Sequence, residues 1–183
     1  MLEEGQRIFL ITGIMASGKS TVAQLLSERF DKSVHLRGDV FRRMIINNRK
    51  EVQPNAGKDE LEQLRLRYRL AAQAADTYVQ AGFTVIVQDV VIGPMLNDFI
   101  SFIQNRPLHV VVLCPNTTVV TERESARSKK GYGAWTVTGL DNVLRNETPP
   151  IGLWLDSSEW TAEQTVTEIL KRSQEAALQE TAD

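Results

Sequence analysis

Cysteine is almost absent from this 183-residue sequence, since Cys114 stands alone inside the apolar run Val110 to Cys114. One thiol closes no disulfide framework, so the fold must be held by its core, and a cysteine among valines is expected to be buried rather than reactive. That usage suits a reducing cytoplasm. Net charge is scarce too: 21 Lys and Arg against 23 Asp and Glu leave a formal charge of −2. General affinity for nucleic acid or for an anionic membrane surface is not expected, and basic residues should matter only where they cluster. No apolar run approaches the roughly 20 residues needed to span a bilayer, and Met1 to Gly5 carries no basic leader. There is no internal repeat and no low-complexity tract.

What is present is enough hydrophobic material, 42% of the chain, to bury one good core but not two, so residues 1–183 are expected to form a single domain. Strand and helix patterns alternate along it. Apolar runs at 7–12, 83–89, 108–114 and 151–156, with a shorter one at 33–39, read as strands. Helical spacing appears at about 19–30, 40–46, 59–81, from Pro94 through Ile103, 117 to about 129, and 140–146. A last helix carries Val166, Ile169 and Leu170 behind a capping box of Thr161 and Gln164. Nearly continuous apolar strands imply burial on both faces, hence an α/β domain of three layers around five parallel strands. Residues 179–183 are expected to fray.

The chain is organised around Gly13-Ile-Met-Ala-Ser-Gly18-Lys19-Ser20-Thr21, between the first strand and the first helix. This is the spacing of a phosphate-cradling P-loop. Gly13 and Gly18 permit close backbone approach, Ala16, Ser17 and Thr21 belong to the same cradle, and the helix aims its positive end at the bound anion. Lys19 supplies a mobile charge for the outer phosphates, and the Ser20 hydroxyl suits Mg²⁺. ATP with Mg²⁺ is the expected cofactor pair, because no Asn-Lys-x-Asp guanine signature occurs.

Further residues bear on what becomes of the γ-phosphoryl group. Asp39, after Gly38 at the end of the second strand, could take a proton from an acceptor hydroxyl, or simply cap the next helix. Arg42 and Arg43, one turn on, could bind an anionic acceptor. Asp89 ends the third strand after Val85-Ile-Val and could order Mg²⁺ or contact the acceptor. Arg123 and Arg127, four apart on one expected helical face, precede Gly131 and Gly133 in a candidate lid at about 123–135, where one would cover the base and the other the phosphates. Lys129 and Lys130 read as surface. His35, His109, Trp135, Trp154 and Trp160 read as structural, and Arg65, Arg67 and Arg69 as a mainly solvated group, although Arg65 with Arg69 and the Gln53–Gly57 loop could line an acceptor pocket.

With these pieces, the sequence from about residue 6 to 178 resembles the small P-loop phosphotransferases of the chloramphenicol phosphotransferase type, within the nucleoside-monophosphate, shikimate and adenylylsulfate kinase-like fold. The resemblance rests on Gly13 to Thr21, Gly38-Asp39, Asp89, and Arg123-Glu-Ser-Ala-Arg127. It implies sheet order 2-3-1-4-5, Asp39 as general base, and Arg123 and Arg127 on adenine and phosphate. The expected activity is transfer of the γ-phosphoryl group to a hydroxyl of a metabolite, nucleotide or antibiotic, with Lys19 and Arg127 neutralising the moving group. Two alternatives stay open: a nucleotide-dependent switch without a small-molecule acceptor, and a nucleic-acid end kinase.

Overall fold

Ile8–Gly13 forms β1, buried at every position, and its side chains feed two cores. Ile8 and Leu10 point to one face of the sheet and Phe9 and Ile11 to the other, as the two-residue period of a strand requires. The computed structural model describes residues 5–128 and 131–178.

Parallel neighbours flank β1: β3 (Thr84–Gln88), with Val85 opposite Ile8, and β4 (Leu108–Leu113), with Leu108 opposite Ile8. β2 (Ser33–Arg37) pairs with β3 and β5 (Leu153–Leu155) with β4, giving the order β2-β3-β1-β4-β5. That is the expected order. A short strand not anticipated from the sequence, β6 (Ala177–Leu178), runs antiparallel beside Leu108 and His109. It shares the outer edge of β4 with β5, which covers only Val111 to Leu113. Two residues are too few to carry a period.

Helix α1 (Lys19–Ser27) and helix α7 (Ala162–Lys171) cover the Phe9 face; α3 (Lys58–Gln80), α4 (Met95–Phe102) and α6 (Val137–Asn142) cover the Ile8 face. The Thr161–Gln164 capping box forms in both directions, at 3.2 and 2.8 Å.

Several boundaries differ from expectation. α1 ends at Ser27, whose hydroxyl turns back onto the carbonyls of Ala23 and Gln24. α2 (Asp39–Arg43) stops short of Ile46, because Met44 and Ile46 are exposed and no burial holds another turn. α5 (Thr117–Ala126) ends before Arg127. The helix expected at 140–146 starts at Val137, where Thr136 accepts from the Gly139 N–H, and passes into a π-helical turn over Val143–Glu147. α8 (Ser173–Ala176) links α7 to β6. Among the described residues, no helix is long and apolar enough to cross a membrane. Lys129, Lys130 and residues 179–183 lie outside the described residues.

Candidate active site

The site lies at the carboxyl ends of β1, β2 and β3, where ligands of open α/β sheets bind. β1 ends on Gly13, whose φ is +142°; a Cβ there would lie 2.4 Å from the Leu113 carbonyl oxygen and 2.9 Å from Ser17 Oγ. Only glycine lets strand and loop approach so closely. Ala16 adopts φ +62°, a left-handed conformation that costs a residue with a Cβ about 1 kcal/mol. Gly18 leads into α1, which no side chain caps, so the N–H groups at its start, those of Lys19, Ser20 and Thr21, give the loop a positive end. Ser17 is buried, whereas Ser20 and Thr21 are exposed.

Lys19 is buried at 6% exposure. Its Nζ donates to the Ile14 carbonyl at 2.6 Å and approaches Ser17 Oγ at 3.5 Å, so the side chain folds back over the loop. Burial first, then the positive charges of Arg127 and Arg67, pull its pKa down to about 7. An anion with several oxygens would oppose these effects by favouring the charged form.

Across from Lys19, the ends of β2 and β3 bring two carboxylates together. Asp39 opens α2: Oδ1 accepts from Arg42 Nε at 2.8 Å, and Oδ2 from Arg43 Nε at 2.6 Å. Burial works to raise its pKa, but the hydrogen bonds from Arg42 and Arg43 and the charges of Arg42 and Arg67 win and hold it at about 2. Arg42 also pairs with Glu51 in the following loop. Asp89, nearly fully buried, accepts at Oδ2 from Arg67 Nε at 2.8 Å and at Oδ1 from Arg67 Nη2 and from the Val90 N–H. A Cβ on Gly38 would fall 2.1 Å from Asp89 Oδ2, which is why glycine precedes Asp39. The segment beyond Asp89 is pinned by Tyr68 Oη on the Val90 carbonyl and by Thr12 Oγ1, which both donates to and accepts from Val91. The Ser20 hydroxyl meets Gln88 Oε1 at 3.2 Å, not Asp89.

The two arginines expected in a lid differ in where they go. Arg123, in the last turn of α5, donates to the carbonyls of Ser17 at 3.4 Å and Ser157 at 3.3 Å. Arg127 does not share its helical face as expected; the helix has ended, and Arg127 is extended with Nη1 3.1 Å from Glu124 Oε2. Glu124 also accepts from the Gly131 N–H at 2.5 Å. Tyr132 Oη then donates to the Met15 carbonyl, and Trp135 Nε1 to the Val52 carbonyl, tying residues 132–135 to both the glycine loop and the loop after α2.

Arg67, which its sequence surroundings place in a mainly solvated group, is instead 14% exposed and paired with Asp89. Arg65 pairs with Asp98 on α4 and Arg69 lies over the Phe102 ring, so neither faces Asp39. A signal was available: Arg67 adjoins Tyr68 and sits three and four residues from Leu64 and Ala71, at core spacing, and a charge on an apolar stripe needs a buried counter-charge. Gln88 carried no signal beyond its strand end. His35 bonds Gln24 Oε1, His109 stacks on Phe9 and bonds the Ser173 carbonyl, Trp154 bonds the Ile151 carbonyl, and Trp160 packs on the Phe9-side core.

Comparison with known proteins agrees with this geometry. A sugar kinase from Janibacter sp. HTCC2649 superimposes with a TM-score of 0.68 at 16% identity, over 94% of this chain and 96% of the other. The Deinococcus radiodurans tunicamycin resistance protein gives 0.65 at 17% identity, over 95% and 99%. Thymidylate kinase from Candida albicans gives 0.65 at 15%, over 98% and 97%. At these identities the likeness shows the fold, which is that of P-loop kinases. No curated protein matches the sequence. The AAA domain profile matches residues 8–146, a stretch that runs from β1 through the phosphate loop, Asp39, Asp89 and the lid arginines to the π-helical turn. The chain therefore belongs to the AAA domain family, as a member with a P-loop kinase-like fold.

Proposed function

We propose that this protein is an ATP- and Mg²⁺-dependent phosphotransferase that moves the γ-phosphoryl group to a hydroxyl of a small molecule, whether metabolite, nucleotide or antibiotic. The observation that carries the reading is convergence: Lys19 folds over the glycine loop at the end of β1, Arg123 donates to the Ser17 carbonyl of that loop, and at the neighbouring strand ends Arg67 touches Asp89 and nears Asp39 at 3.7 Å. The glycine loop, Arg123 and the two carboxylates thus lie near one another at the carboxyl ends of the strands, which supports the reading.

Each residue has a physical task there. Gly13, Ala16, Ser17, Gly18 and Thr21 shape the backbone cradle, Lys19 charges on meeting the outer phosphates, and Arg123 covers the nucleotide from α5. Of the two oxygens expected to hold Mg²⁺, the exposed Ser20 hydroxyl fits a hard cation that keeps most of its waters, whereas Asp89 does not, because both of its oxygens already accept from Arg67 and its side chain is 1% exposed. Bound at Ser20, the ion would neutralise charge on the phosphate oxygens. Asp39 accepts the acceptor's hydroxyl proton as the new O–P bond forms and the bond to the leaving ADP breaks. Arg127 and Lys19 balance the charge that builds up on the moving group, while Arg42 and Arg43 orient an anionic acceptor.

The test is Mg·ATP consumption against a panel of hydroxyl metabolites, nucleosides, nucleotides and antibiotics, with Lys19→Ala as control for contaminating activity. One acceptor should speed ADP release and acquire phosphate. Asp39→Asn should keep nucleotide affinity and lower transfer on the order of 10²-fold. Unchanged transfer would remove Asp39 from the chemistry, and tight ATP binding with no acceptor in the panel would favour a switch.

A further inference from the structure

Arg67 is the least expected charge in the site. It lies on α3, beside core residues Tyr68 and Ala71, and its side chain is only 14% exposed. Its fork spans both oxygens of Asp89, whose side chain is 1% exposed, and its remaining nitrogen, Nη1, stands 3.7 Å from Asp39 Oδ1. Two acidic side chains at adjacent strand ends repel one another, and here one guanidinium lies against both. Asp89 has no freedom to turn away, because Gly38 closes over it and the peptides that follow are held by Tyr68 and Thr12.

We infer that Arg67 is a positioning residue of the transfer site, clamping Asp89 under Gly38 and, through Nη1, holding Asp39 in place at the end of β2 to meet the acceptor hydroxyl. The two-point fork is what the geometry uses. A lysine there would keep the charge but could not span both oxygens of Asp89 and still face Asp39. Arg67 therefore acts through the two aspartates. Its part in transfer rests on the phosphotransferase reading; the clamp on the two carboxylates does not.

The experiment separates these. Carbon-13 NMR of the aspartate carboxyls, with Asp39 and Asp89 assigned by Asn substitution, follows both titrations in the ligand-free protein. In Arg67→Met the Asp89 midpoint should move up by about one unit or more, and that of Asp39, which keeps Arg42 and Arg43, by less, while the control Arg65→Met, which loses only the pair with Asp98, should leave both unchanged. Arg67→Lys should return the midpoints part of the way, and it supplies the measurement if Arg67→Met does not fold. With an acceptor in hand, both Arg67 variants should lower kcat on the order of 10²-fold, with KM for ATP little changed. If the Asp39 and Asp89 midpoints in both Arg67 variants match those in Arg65→Met, the clamp is wrong. If the midpoints move but kcat does not, the positioning role is wrong. If they move and wild-type protein transfers phosphate to nothing, the clamp stands and the phosphotransferase reading falls.

Discussion

Nucleotide binding should draw a proton onto Lys19, and the amount follows from its surroundings. In the free protein burial, Arg127 and Arg67 hold its pKa at about 7, against 10.5 for an ordinary lysine. A polyphosphate in the loop supplies the counter-charge that the Ile14 carbonyl only mimics, which should return the group to near its ordinary value. At pH 8 the free protein then carries about 0.1 of a proton on Lys19 and the complex nearly one, so binding takes up about 0.9 proton. Between pH 7.5 and 9, where the nucleotide's phosphates are already ionised, affinity should weaken about 20-fold, or about 2 kcal/mol. Calorimetric titration with ADP in buffers of different ionisation enthalpy reads the uptake directly. Lys19→Met should abolish it, and Arg127→Met should shrink it by letting Lys19 protonate before the ligand arrives. Uptake below about 0.2 proton at pH 8, or affinity flat across that range, would refute the reasoning. Stability must follow the same linkage: between about pH 7 and 10.5 the unfolded chain holds more protons on Lys19 than the folded one, so this group makes stability rise with pH there. Below pH 7 both states are charged and the penalty is constant.

Gly38→Ala places a methyl group 2.1 Å from a buried carboxylate oxygen and should cost about 1 to 3 kcal/mol in urea denaturation. Its Asp89 titration should also shift, because the Cβ displaces that side chain. Thr12→Val removes the hydroxyl that serves both the N–H and the carbonyl of Val91, leaving two buried backbone groups unpaired. Urea denaturation should show a loss of about 2 to 4 kcal/mol.

Local pattern settled a great deal. The strands and most helices follow from apolar periodicity, and the cradle from Gly13 to Thr21 follows from its spacing, because a bend between buried strand and helix needs those residue types wherever it occurs. The two aspartates were legible as strand-end carboxylates. What the chain could not show locally was which charge each would meet. Arg67 lies 22 residues from Asp89 in sequence, and only the packing of α3 on the sheet brings its fork onto that carboxylate rather than into solvent. The same holds for Trp135 on Val52, 83 residues away, and for Gly38, whose lack of a side chain matters only because Asp89 lies beside it. Arg127 shows the converse: its spacing from Arg123 fits a helix, but α5 ends at Ala126 and Arg127 is extended. Periodicity reports the face on which a residue falls; the partner of a buried charge is chosen by how the elements stack, where low dielectric makes an unpaired group too costly to leave.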